Sequence, residues 1–176
     1  IVDGDGNAVA MTTSIENAFG SRVMVRGFLL NNQLTDFSFR PEKNGRPVAN
    51  RPDAGKRPRS SMAPTLVLDD RGRFVLAVGS PGGSRIIGYV AKTLIAALDW
   101  NLDLQAAVDL PNFVNRNGPI ELERGTALEE LRPRLEAMGH KVVSFSRASG
   151  IRAVRLSGTR LEGAADKRRD GLALGD

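Results

Sequence analysis

An α+β layered sandwich built on antiparallel sheets is the fold class this sequence predicts. Short stretches of alternating apolar and polar residues, such as Thr65 to Asp69 and Arg73 to Val78, flank tight turns and read as paired strands. One longer segment, Ile86 to Leu98, carries apolar residues at helical spacing. The strands come in runs on either side of two helical regions, where a parallel α/β fold would alternate them one by one.

Composition narrows the class further. The chain has 176 residues, enough for one ordinary domain with its own core, and 41% apolar against 26% charged residues excludes disorder, collagen and coiled coil. Gly88, Tyr89 and Lys92 interrupt the longest apolar run, so no membrane span is expected. The chain has no Cys and one His, which removes disulfides, thiol catalysis and multi-histidine or thiolate metal sites. His140, between the helix-ending Gly139 and a strand, reads as a surface or strand-start position. The net charge is +5. Its basic clusters, Arg46 to Arg59 and Lys167 to Arg169, hold no aromatic residue for base stacking. They read as solvated surface, and no nucleic-acid partner is expected.

In chain order, Ile1 and Val2 are strand formers with no Met or apolar leader before them, so the chain is expected to open in mid-structure. Asp3 to Asn7 is a turn between two short strands. A calcium loop would need Gly at Ala8 and Glu at Ser14, and both are wrong. Val23 to Asn31 precedes Asn32 to Phe37, which is too polar for a core strand. Residues 39–56, rich in Pro and Gly, read as a loop of the kind that serves as a lid. The expected apolar stripe of the long helix is Ile86, Ile87, Val90, Ala91, Leu94, Ile95 and Leu98, with Trp100 packing at its end. A short helix covers Leu104 to Leu110. Another opens at Thr126 and Glu129 in capping-box spacing, buries Leu128, Leu131, Leu135 and Met138, is kinked or split by Pro133 and ends at Gly139. Strands follow at His140 to Phe145, Ile151 to Leu156 and Arg160 to Glu162.

Three places carry possible chemistry. Gly82 and Gly83, ahead of the long helix, offer two backbone N–H groups without side chains at the positive end of its dipole, as an oxyanion site requires; a plain glycine turn is the alternative. Ser60 and Ser61 can present hydroxyls to a carboxylate or simply bond within a loop. Asp36, among amides and hydroxyls, suits an ammonium group or a turn cap. No nucleophile stands out.

Taken together, Leu29 to Ser38, Arg57 to Thr65 and Gly79 to Ile87 resemble the small subunit of gamma-glutamyltranspeptidases, in order and separation, and the likeness extends over essentially the whole chain. The resemblance implies an N-terminal nucleophile hydrolase: an αββα four-layer sandwich completed by a large subunit cut from the same precursor. It places the nucleophile, a Thr that is both nucleophile and base through its own α-amine, five residues before the position of Ile1. It assigns Gly82 and Gly83 to the oxyanion, Ser14 to support of the nucleophile, Ser60 and Ser61 to the donor α-carboxylate, and Gln33 and Asp36 to the donor α-amino group. Glu16 stands where many members have Asn, which adds a negative charge to the donor pocket. The implied substrates are γ-glutamyl amides such as glutathione, with water, an amino acid or a peptide as acceptor. No cofactor or metal is called for, and the family's setting is periplasmic or secreted. Two alternatives are a glutaryl (cephalosporin-type) acylase of the same family and a processed half without catalysis.

Overall fold

The computed structural model describes residues 1–146 and 149–175, which fall into two compact units, Thr13–Ser60 and the combination of Ile1–Thr12 with the chain from Ser61 onward.

The unit Thr13–Ser60 is built of turns. Strands β1 (Met24–Val25) and β2 (Phe28–Leu29) pair across Arg26 and Gly27, both in the left-handed region with φ of 48° and 89°. A 3-10 turn spans Gln33–Asp36. Residues 39–56 are not structureless: β3 (Glu42–Lys43) and β4 (Arg46–Pro47) form a hairpin across Asn44-Gly45, a pair suited to the left-handed conformations such a turn demands. With little apolar burial, side-chain amides hold this unit together. Asn32 Oδ1 accepts the Asn17 N–H at 3.0 Å, and Asn50 donates to the Asp36 carbonyl at 2.7 Å while accepting the Arg59 N–H at 3.1 Å.

In the other unit, β5 (Thr65–Leu68), β6 (Phe74–Gly79), β10 (Arg152–Ser157) and β11 (Arg160–Ala165) make an antiparallel sheet of order β11-β10-β6-β5. Ala153 lies between Val78 and Ala164 in register, and with Leu76 these residues form the sheet side of the core. Against them pack α1 (Ile86–Leu98) and α2 (Leu104–Asp109), which bring Tyr89, Val90, Ala96, Leu104 and Val108. Asp103 caps α2 by accepting the Ala106 N–H.

The buried face of α1 is Ile86, Tyr89, Val90, Lys92, Thr93, Ala96 and Ala97, rotated from the expected stripe. Ile87, Ile95 and Leu98 stay exposed, and so does Trp100. The reason is that α1 is apolar on two sides, and the side carrying the small residues Ala96 and Ala97 is the one buried in the core. The sheet's opposite face also leaves Leu66, Leu156 and Leu161 exposed by 42%, 39% and 48%.

A second sheet joins β7 (Phe113–Asn115), β8 (Ile120–Glu123) and β9 (Val142–Phe145). Its order is β7-β8-β9, and β8 and β9 run parallel, so the expectation of wholly antiparallel sheets is corrected. The crossover between them is the 3-10 turn Ala127–Leu131 followed by α3 (Arg132–Ala137), with Pro133 in the first turn of α3, where its missing N–H does no harm. The capping box does not form: Thr126 Oγ1 donates to the Glu123 carbonyl, and Glu129 accepts the Gly125 N–H. Leu131 and Met138 are exposed, so the expected buried face of this segment is open on this chain. Gly88 marks the approach of α1 to β7, since a Cβ there would sit 3.0 Å from a Val114 methyl.

Lys92 is 6% exposed, and its Nζ donates to the Leu110 carbonyl at 2.7 Å, closing the end of α2. Burial, reinforced by the charge of Arg168, lowers its pKa to about 8. The unfolded chain therefore binds this proton more tightly, so a penalty present below pH 8 is relieved as pH rises toward 10.5, by roughly 3 kcal/mol in total. Between pH 8 and 10 the wild-type stability should rise relative to that of Lys92→Met in urea unfolding of the assembled protein. Parallel curves would refute this.

Candidate functional site

Gly82 and Gly83 both have positive φ, 143° and 59°, conformations that L side chains rarely adopt. A Cβ on Gly82 would lie 2.7 Å from Tyr89 Cε2, whereas at Gly83 the space is open. The Arg85 N–H donates to the Gly82 carbonyl at 3.3 Å, closing a 3-10 turn over Gly83–Arg85 that runs straight into α1. Among the described residues no acceptor takes the Gly82 or Gly83 N–H, which leaves two donors at the head of a thirteen-residue helix.

In the unit Thr13–Ser60, the 3-10 turn brings Gln33 and Asp36 together: Gln33 Nε2 donates to Asp36 Oδ2 at 3.3 Å. The other end of the same amide, Gln33 Oε1, is buried with no hydrogen-bond partner. A carboxylate next to an unfilled acceptor is a receptor for a group that only donates. Ser14 Oγ accepts the Glu16 N–H at 2.8 Å, and Glu16, itself at φ 72°, accepts a hydrogen bond from the Asn32 amide. Glu16 is thus tied to the residue before Gln33. Ser60 is exposed and Ser61 half-buried, in chain without regular secondary structure between Arg59 and β5.

Two charged assemblies were not legible in the sequence. Around Glu121 on β8, Arg85 makes a bidentate ion pair at 2.5 and 3.1 Å, and Arg116 adds a second ion pair at 2.5 Å. Burial works to raise the Glu121 pKa, but the hydrogen bonds from Arg85 and Arg116 hold it below the usual carboxylate range. The other assembly centres on Asp166, fully buried, which binds Ser149 Oγ, the Ile151 N–H and Arg168. Its pKa is likewise held low, against desolvation, by those hydrogen bonds and the arginine. Arg168 also pairs with Glu123 at 2.6 Å and donates to the Asp109 and Leu110 carbonyls. Reading Lys167 to Arg169 as solvated surface is therefore corrected: Lys167 is exposed, but Arg168 is a structural ion inside the fold.

Ser80 and Gly150 link this second assembly to the glycine turn. The Gly150 N–H donates to Ser80 Oγ at 3.2 Å, and a Cβ at Gly150 would meet Pro81 at 2.7 Å.

The model of the family "Gamma-glutamyltranspeptidase" matches residues 1–176. Among curated proteins, the glutathione hydrolase proenzyme of Bacillus subtilis (strain 168) is 38% identical over 99% of this chain and 30% of its own length. The acylase ACY 1 proenzyme of Pseudomonas sp. (strain SE83) is 36% identical over 99% of this chain and 31% of its own length. Among solved structures, the gamma-glutamyltranspeptidase of Pseudomonas nitroreducens complexed with L-DON superposes with a TM-score of 0.86 at 34% identity, covering 100% of this chain and 97% of that one. With its glycine turn ahead of α1, the chain has the α+β fold of an N-terminal nucleophile hydrolase. It belongs to the gamma-glutamyltranspeptidase family and covers the small-subunit region. It spans about a third of the length of the curated relatives it matches.

Proposed function

We propose that this chain is the small subunit of a γ-glutamyl hydrolase and transferase. The observation that carries the reading is the pair Asp36 and the unfilled Gln33 Oε1, which suits the α-ammonium that distinguishes a γ-glutamyl donor. In the mechanism, the hydroxyl of an N-terminal Thr upstream of Ile1 attacks the γ-carbonyl. Its proton passes to the Thr α-amine and from there to the departing amine. The oxyanion is held by the Gly82 and Gly83 N–H groups. Water, or an amino acid or peptide amine, then takes the acyl group from the Thr oxygen. Ser60 and Ser61 bind the donor α-carboxylate, Ser14 supports the nucleophile, and residues 39–56 act as a short lid. The direct test is release of the free aniline from a γ-glutamyl anilide by the full-length protein. No turnover by matured protein would end the reading.

A large-subunit partner from the same precursor completes the sandwich in this reading. The support is the exposed apolar residues on the outer face of the first sheet and along α1, together with relatives that are proenzymes about three times as long. Expressed alone, the 176-residue chain should show no cooperative thermal transition as a monomer. A sharp calorimetric transition would count against the two-chain arrangement. A second reading, acylase action on glutaryl side chains, is supported by the acylase relative at nearly the same identity.

A further inference from the structure

We propose that Glu121 is a positioning residue that holds the glycine turn in its donor-presenting conformation; the inference rests on the reading of Gly82 and Gly83 as oxyanion donors. Glycine loses the most freedom on ordering, so two adjacent glycines at φ 143° and 59° do not fix themselves. At Gly83 there is also no neighbouring atom within 4 Å of a Cβ position to confine it. The restraint comes from the two residues that follow. Ser84 Oγ accepts from Arg116 Nη1 at 2.6 Å, and Arg85 is the residue whose N–H closes the turn. Both arginines end on one carboxylate, that of Glu121.

Glu121 is suited to be the anchor. It is 9% exposed and lies in the central strand of its sheet, opposite Val114 on β7 and Val143 on β9, so its backbone is held from both sides. The Arg85 guanidinium also lies over the Phe145 ring, 5.4 Å from its centre. A rigid strand thus reaches the turn through charge-assisted bonds of fixed geometry. Stability alone does not call for such a group, since buried ion pairs give little net gain over apolar packing. The pairing also occupies both guanidiniums, so neither is free to serve as the carboxylate receptor for a donor.

The experiment compares the full-length, matured parent with Glu121→Gln, Glu121→Asp and Ser84→Ala, on a γ-glutamyl anilide, with rates normalised to titrated acyl-enzyme sites. Glu121→Gln should lower kcat about 10- to 100-fold with donor KM changed less than about threefold, because the loss falls on the transition state. Glu121→Asp should recover part of it. Ser84→Ala, which removes one exposed hydroxyl, should lower kcat about three- to tenfold at unchanged melting temperature, and it decides the matter if Glu121→Gln fails to mature. A kcat within twofold of the parent in Glu121→Gln, or in Ser84→Ala where the former does not mature, overturns the role of Glu121. So does a loss carried by KM. An inactive parent overturns the oxyanion reading beneath it, so the two failures are distinct.

Discussion

Gly82→Ala should lower kcat on a γ-glutamyl donor by about two to three orders of magnitude, the effect of losing one oxyanion donor. At φ 143° an L side chain is strained whatever the space around it, and here there is no space. The new Cβ would meet the Tyr89 ring at 2.7 Å, and Tyr89 lies in the α1 core, fully buried between Ile86 and Val90. The ring cannot give way, so the turn must, and the N–H groups of Gly82 and Gly83 move with it. A displacement of under an ångström matters because oxyanion donors act only at hydrogen-bond distance from the developing charge. Gly83→Ala is the internal control. Its Cβ enters open space, and its φ of 59° lies in the left-handed region, which other residues visit at about 1 to 2 kcal/mol. Its loss in kcat should be markedly smaller. Steady-state kinetics on matured protein checks both, with donor KM as the sign that binding is intact. A Gly82→Ala variant within fivefold of the parent would show that the turn does not hold the oxyanion.

What the sequence made legible follows the range of the interactions. The α1 segment, the strand pair across Asp70-Arg71-Gly72 and the glycine turn are local patterns, and each appears where the residues place it. The face of α1 was misjudged because the helix is apolar on two sides, so hydrophobic spacing could not say which side meets the sheet. Strands β7 and β8 were not foreseen: β7 is only three residues long with Phe113 and Val114 side by side, and the alternation of Ile120 to Glu123 lasts only four residues, with Glu121 and Leu122 both buried. Its parallel pairing joins β8 to a strand about twenty residues on, across a crossover that local signals do not specify. The candidate site divides the same way. Gln33 and Asp36 are three residues apart and meet within one turn. The Arg85–Glu121 pair spans 36 residues, and the Ser149–Asp166 bond spans 17. An Asp followed by Lys-Arg-Arg reads as surface, and only the fold shows that Asp166 and Arg168 turn inward to neutralise each other.

The carboxylate of Asp36 and the open acceptor of Gln33 should also decide between the two donor classes. Glutaryl and γ-glutamyl groups differ at one carbon, where the second carries an ammonium and the first only hydrogens. An ammonium can donate to both Asp36 and Gln33 Oε1, giving one charge-assisted bond and filling one empty acceptor. A glutaryl chain leaves Gln33 Oε1 without any donor and Asp36 with the Gln33 amide alone, at roughly 1 to 3 kcal/mol for the group left unsatisfied. Glu16 strengthens the attraction less than its charge suggests, because its carboxylate is already engaged by the Asn32 amide. The parent protein should therefore prefer γ-glutamyl over matched glutaryl anilides by at least about tenfold in kcat/KM, since about 1.4 kcal/mol is a factor of ten. Asp36→Ala should abolish most of that preference by losing γ-glutamyl activity, with glutaryl turnover changed far less. Equal kcat/KM values in the parent would reject ammonium recognition at this turn and favour the acylase reading. A preference that survives Asp36→Ala intact would move the recognition of the amino group elsewhere.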